Sequence, residues 1–296
     1  MPRSDEWEDE QMRALAYGVQ QFGPRSLQQV GTAIEAMPIE DRFFLGEDDG
    51  LRLENFTDLQ GLWHFDFAKR RSGHGPGRMA RERAMEEIDL GGDWFGEDTA
   101  FVFDPATGVA AVQYNHFGPR LKWIEQYLAA ADLTLGGVHQ GRWGFGFGMR
   151  LKDPAYAELQ DFGLIQEIDF TVSVPGVRAA NFERGNSLAG ILNAPLPVGI
   201  ETIRVEMKAR ADRGSSLGHD EAWGVINDLR RLGGDLIRAD VWGKQDARSR
   251  RQRVNLKDAQ ISSQQPVNAA GNRVARTERY TALRAAILEW RQNREI

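Results

Sequence analysis

Short runs in which apolar and polar residues alternate constrain this chain more than any other feature of its sequence. Ile168, Phe170, Val172 and Val174 alternate with Asp169, Thr171 and Ser173, and the run stops at Pro175-Gly176. A side-chain period of two belongs to a β-strand with one buried face, whereas a helix repeats every 3.6 residues. Ile203, Val205 and Met207 repeat the pattern. Trp63, Phe65 and Phe67 do so again, set inward against an outward Leu62, His64, Asp66 and Ala68. Such strands have to pair into sheets, and each apolar face has to be covered by another layer.

The covering layers are legible as helical spacing. Met12, Leu15, Val19 and Phe22 predict a helix from about Asp5, stopped by Gly23-Pro24. Ser26 then stands as the N-cap of a second short helix burying Leu27, Val30, Ile34 and Met37. Phe101-Val102-Phe103 and residues 109–114 read as two strands joined by turn chemistry at residues 104–108. Gly118-Pro119 opens a helix with Leu121, Ile124 and Leu128 on one face.

Further along, Ala222, Val225, Ile226, Leu229 and Leu232 mark a helix closed by Gly233-Gly234, and residues 236–242 follow as a strand. Strand, helix and strand at this spacing predict a βαβ unit with parallel strands. Residues 243–270 are polar and poorly periodic. A last helix from about Thr277 carries Tyr280, Leu283, Ile287 and Trp290 on one stripe. The expected class is α+β in two lobes divided near residues 137–160. Residues 1–150 form an N-terminal lobe of helices and antiparallel strands, and residues 151–296 a second lobe with the βαβ unit and the C-terminal helix.

Composition removes several classes of function. With 296 residues, 41% hydrophobic and 27% charged, the chain has material for a sizeable core. No apolar run approaches the roughly 18 residues of a membrane-spanning helix. The acidic start lacks an apolar signal core, so a cytoplasmic location is expected. Zero cysteines exclude a disulfide, a thiolate metal site and a cysteine nucleophile. His64, His74, His116, His139 and His219 are too dispersed for a local zinc pair. There is no G-x-S-x-G elbow and no S-x-x-K run. No cofactor and no resident metal are expected.

Two motifs carry chemistry. Glu206-Met207-Lys208 ends a predicted strand, so its Glu and Lys share a face, as in Mg²⁺-dependent nucleases of the restriction type. That mechanism needs a second carboxylate, and the nearest upstream aspartate, Asp169, lies far back on another strand. Glu206 and Lys208, with Arg204, equally form an exposed charge ladder. The more persistent feature is basic. Residues 69–83 bring Lys69, Arg70, Arg71, Arg78, Arg81 and Arg83 against Glu82, and residues 244–253 bring Lys244, Arg248, Arg250, Arg251 and Arg253 against Asp246. Arginine forks suit phosphate oxygens, and two such loops could flank one nucleic-acid groove. Charge is also split along the chain: residues 1–50 hold 4 Arg against 11 acids, and residues 237–296 hold 13 cations against 6 acids.

The run of residues 103–128, FDPATGVAAVQYNHFGPRLKWIEQYL, resembles a stretch of the RexA-type phage-exclusion proteins and related bacterial domains of unknown function. The order of elements around it is similar over most of the chain, in pattern rather than in identity. No catalytic motif accompanies the resemblance. It implies a homodimeric, non-enzymatic protein that binds DNA with little sequence preference in anti-phage defence. A nuclease centred on Glu206 and Lys208, and a subunit that docks a defence partner protein, are the alternatives.

Overall fold

The computed structural model describes residues 10–45, 50–71, 78–80, 83–86, 88, 90–91, 93–136, 144–174, 188, 199–212, 214–270 and 273–296, with 78–80, 83–86, 269–270 and 273 given by backbone alone. The architecture is mixed α+β around two antiparallel sheets. The larger sheet has the order β13-β1-β7-β6-β3-β2. These strands are Ser262–Val267 (β13), Glu10–Gln21 (β1), Val109–Gln113 (β7), Gly96–Asp104 (β6), Leu62–Arg70 (β3) and Leu51–Leu59 (β2). Phe145–Met149 (β8) also pairs with β1, beyond the stretch taken by β13.

The smaller sheet has the order β10-β9-β11-β12, from Thr202–Lys208 (β10), Leu164–Ser173 (β9), Leu236–Lys244 (β11) and Gln252–Asn255 (β12). Two short ladders pair Arg78–Ala80 (β4) with Arg83–Glu86 (β5) and Ala269–Ala270 (β14) with Arg273–Val274 (β15). The helices are Leu27–Glu35 (α1), Leu121–Thr134 (α2), Asp153–Gln160 (α3), His219–Leu232 (α4) and Arg276–Gln292 (α5). No described helix is long and apolar enough to cross a membrane.

The first expected helix is a strand. Met12, Ala14 and Ala16 of β1 face one core, and Leu15 and Tyr17 face another. A strand buried on both faces loses the period-two signal, and the leftover apolar positions imitated a helix. The second expected helix is α1: the Ser26 hydroxyl accepts from Gln29 N at 3.2 Å while the Gln29 side chain accepts from Ser26 N at 2.9 Å. Asp104 organises the β6–β7 turn as its composition suggested. Its carboxylate accepts from Ala106 N at 3.0 Å and the Thr107 hydroxyl at 2.6 Å, and Gly108 takes φ 69°.

The larger sheet is enclosed on both sides. Phe65, Phe67 and Phe101 stack beneath α1 and α2, while the small residues Ala14, Ala16, Ala100 and Ala111 let Leu283, Ile287 and Trp290 of α5 approach closely. This corrects two expectations. The supposed outward set of β3 is buried, with His64 and Asp66 at 0% and 1% exposure under α5. The C-terminal helix and β13 belong to the first sheet, although they lie beyond residue 260. Its apolar stripe is consumed there.

Buried charge fixes this docking. Arg279, 1% exposed, holds both Asp66 oxygens at 2.7 and 2.8 Å and Asp98 at 2.8 Å. Arg291 reaches Asp104 at 2.5 Å. Ser263 and Gln265 of the polar β13 each donate to Glu289 at 2.6 Å. Part of the C-terminal positive charge is therefore spent on acids of the larger sheet.

The smaller sheet packs one face on α4, and among the described residues no helix or strand covers the other. β10 and β11 run in the same direction, as the βαβ reading requires, but they are not neighbours. β9 lies between them, antiparallel to both.

Candidate nucleic-acid interface

The open face of the smaller sheet follows from strand register. Glu206 of β10 stands opposite Asp169 of β9, which stands opposite Asp240 of β11, which stands opposite Asn255 of β12. One step along, Lys208, Glu167, Trp242 and Arg253 form a second row. In the other direction, Arg204, Thr171 and Arg238 form a third. Alternation puts Ile168, Phe170 and Val241 on the covered face and leaves every one of these charged residues outside.

The rows knit into one lattice. Arg204 grips Asp169 with both arms, at 2.9 and 2.8 Å, which holds the Asp169 carboxyl below the ordinary range. Asp240 accepts from Arg238 at 2.6 Å and from Arg253 and Asn255 at 2.8 Å. Arg251 pairs with Glu167. Lys208 lies 2.7 Å from Glu206 and 3.8 Å from Glu167, and the Glu206 bond raises its pKa. The half-buried Trp242 ring carries the Arg251 guanidinium at 4.5 Å and that of Arg253 at 5.6 Å from its centroid.

The charges are layered. The Asp240 side chain is 0% exposed and that of Asp169 6%, whereas Arg204 is 61% and Arg238 50% exposed. Asp240 and Asp169 lie beneath and the guanidiniums above, while Glu206, 42% exposed, stands at the rim.

The basic residues named from sequence divide between the two sheets. Arg251 and Arg253 belong to the lattice, and Lys244 ends β11 half-buried. Arg248 and Arg250 are exposed in the β11–β12 turn, where Asp246 accepts from Arg248 N at 2.7 Å and Ser249 N at 2.8 Å. Lys69, Arg70 and Arg71 lie at the end of β3, on the other sheet. There Lys69 sits 3.6 Å over Trp123, Arg70 4.2 Å over Trp94 and Arg71 5.4 Å over Phe117, with Arg71 also 3.2 Å from Glu97. Arg78 falls on β4, where only the backbone is described, and Arg81 lies outside the described residues, as do His74 and His139.

Strand pairing also revises the nuclease motif. Asp169, remote in sequence, is directly across from Glu206, so the missing second carboxylate exists. Both of its oxygens are engaged by Arg204, and Lys208 is engaged by Glu206. Among the described residues, no group of three or more His, Asp or Glu side chains is placed to hold a metal ion. Phe145 and Phe147 of β8 lie in the core, at 1% exposure each.

Arg204, Arg238, Trp242, Asp169 and Asp240 were not read as one site. Their joining depends on β9 being inserted between β10 and β11, which no local pattern encodes. No family model matches this sequence, and no curated protein matches it.

Proposed function

We propose that this chain binds DNA without sequence preference through the open face of the smaller sheet. The layering of charge carries the reading. Buried Asp240 and Asp169 and the half-buried Glu167 hold Arg238, Arg253, Arg204 and Arg251 in fixed positions, so a polyanion meets preset guanidinium forks set above these acids. Trp242, under two arginines, adds a flat surface for a sugar or base. Nothing in this arrangement reads base edges, hence the absence of sequence preference. Arg248 and Arg250 extend the cationic surface at the turn, and Lys69, Arg70 and Arg71 with their aromatic partners form a second patch on the larger sheet.

The RexA-type resemblance extends the proposal to phage exclusion, in the cytoplasm and as a homodimer. Its support is the sequence pattern of residues 103–128, a hairpin leading into α2, together with the cationic face.

Fluorescence anisotropy with two unrelated duplexes of about 20 base pairs tests the binding. The wild-type chain is expected to bind both with affinities within about threefold of each other. Arg251→Ala combined with Arg253→Ala is expected to weaken both by about tenfold or more. An affinity unchanged in the double variant, or lost for one sequence alone, overturns the reading.

A further inference from the structure

The end of β3 in the larger sheet carries three cations in a row, each laid over a ring of its own. Lys69 lies 3.6 Å over Trp123, Arg70 4.2 Å over Trp94 and Arg71 5.4 Å over Phe117. Trp123 is half-buried on α2, where it packs against the core. Phe117 and Trp94 are different: at 64% and 56% they are the most exposed large apolar side chains among the described residues. A single exposed apolar residue is ordinary, whereas two water-facing aromatics, each beneath a cation, form a patch.

Hydrogen bonds of the backbone present these rings. Asn115 donates to Asp98 O at 2.6 Å and accepts from Phe117 N at 3.0 Å, which ties the turn between β7 and α2 to β6 and fixes where Phe117 emerges. A Cβ on Gly118 would collide with Thr99 and with the Asp98 carbonyl, so glycine lets the turn lie this close. Phe95 O accepts from Arg71 N at 2.8 Å. Arg71 therefore joins both rings: its backbone is bonded to the residue after Trp94, and its guanidinium reaches Phe117. Arg71 also pairs with Glu97 at 3.2 Å, whereas Arg70 is exposed and makes no ion pair among the described residues.

We propose that this strand end binds single-stranded nucleic acid, with unpaired bases stacked on Trp94 and Phe117 and the phosphates between them on Arg70 and Arg71. A single strand repeats a flat base beside a negative charge, and the patch repeats a flat ring beside a positive one. The charges choose between occupants. An apolar protein partner would cover the rings and strand the cations. A duplex would meet the cations but bring no base face, because its bases are stacked on one another. The proposal deepens the reading of DNA binding by naming the form of strand this second patch takes. It uses no residue of the smaller sheet.

Fluorescence anisotropy on the full chain tests this with a labelled oligo-dT of about 12 nucleotides and with an abasic strand of the same length and charge. Oligo-dT is expected to bind at least about tenfold more tightly than the abasic strand, because the strand without bases keeps the phosphates and loses the stacking. Trp94→Ala combined with Phe117→Ala is expected to weaken oligo-dT by about tenfold or more and to leave duplex affinity unchanged. Arg251→Ala with Arg253→Ala is expected to do the reverse, so loss of either reading is seen apart from the other. Oligo-U tells the two sources of an unpaired strand apart, the tighter ligand naming DNA or RNA. Both rings are solvent-exposed, and the wild-type comparison of oligo-dT with the abasic strand needs no variant to fold. Equal binding of those two strands, or an oligo-dT affinity unchanged in the folded Trp94→Ala, Phe117→Ala variant, overturns the proposal.

Discussion

The two sheets use the same residue types for different ends. In the larger sheet, arginine–aspartate pairs lie under α5, with Arg279 and Asp66 each 1% exposed, and they hold a helix in place. In the smaller sheet, acids of similar burial are held by arginine side chains that themselves reach solvent. A pair buried from both sides cannot lose one partner without stranding a charge. A pair buried from one side leaves its guanidinium available to a third group. Arg279 is closed off together with its acids, whereas Arg276 and Arg291 at the margins of α5, like the arginines of the smaller sheet, reach solvent above a buried aspartate.

The largest effect that sharpens this contrast belongs to Arg279. Arg279→Ala leaves Asp66 with Arg276 alone and takes from Asp98 its buried arginine, and is expected to cost about 3–5 kcal/mol in urea denaturation. Arg253→Ala, made on the open face, is expected to cost less than about 1 kcal/mol, because water reaches what remains. Equal losses for the two variants would break the comparison.

Asp235→Asn comes next. Burial pushes the Asp235 carboxyl above its ordinary value of 3.8, so the folded state holds its proton more tightly than the unfolded chain does. The stability contributed by that proton is present at low pH and lost as pH rises from about 4 through the raised value. The variant is therefore expected to be more stable than wild type at pH 7, with the gain shrinking toward zero near pH 4. Thermal melts across that range check the sign, and a gain that grows on acidification contradicts it. The smallest effect expected is that of Glu206→Gln, which removes a negative charge from the rim of the open face. DNA affinity should rise by less than about threefold, without metal-dependent nicking in either protein.

Sequence reading succeeded where a residue's role is set by its own neighbours. The Ser26 cap, the Asp104 turn, the α2 and α5 stripes and the alternation of β9 and β10 all depend on residues within a few positions. It failed for β1, where Ala14, Ala16 and Gly18 are spaced for two covered faces, and for β13, whose Ser263 and Gln265 meet Glu289 only because α5 folds back. For the site, the density of Arg251 and Arg253 was visible in the chain. The carboxylates that position them, Glu167 and Asp240, come from other strands and become neighbours only through register. Asp169 shows the same limit, since it stands far from Glu206 in sequence and directly opposite it in space.

The central claim is that the open face of the smaller sheet, and not the buried charge of the larger one, meets the phosphate backbone. The salt dependence of duplex binding tests it most directly, because the slope of log K against log salt counts the phosphates neutralised. Removing Arg251 and Arg253 together is expected to flatten that slope by about two units, by the same amount for unrelated sequences and with the fold intact by circular dichroism. A slope that stays at its wild-type value in a folded double variant would contradict the account.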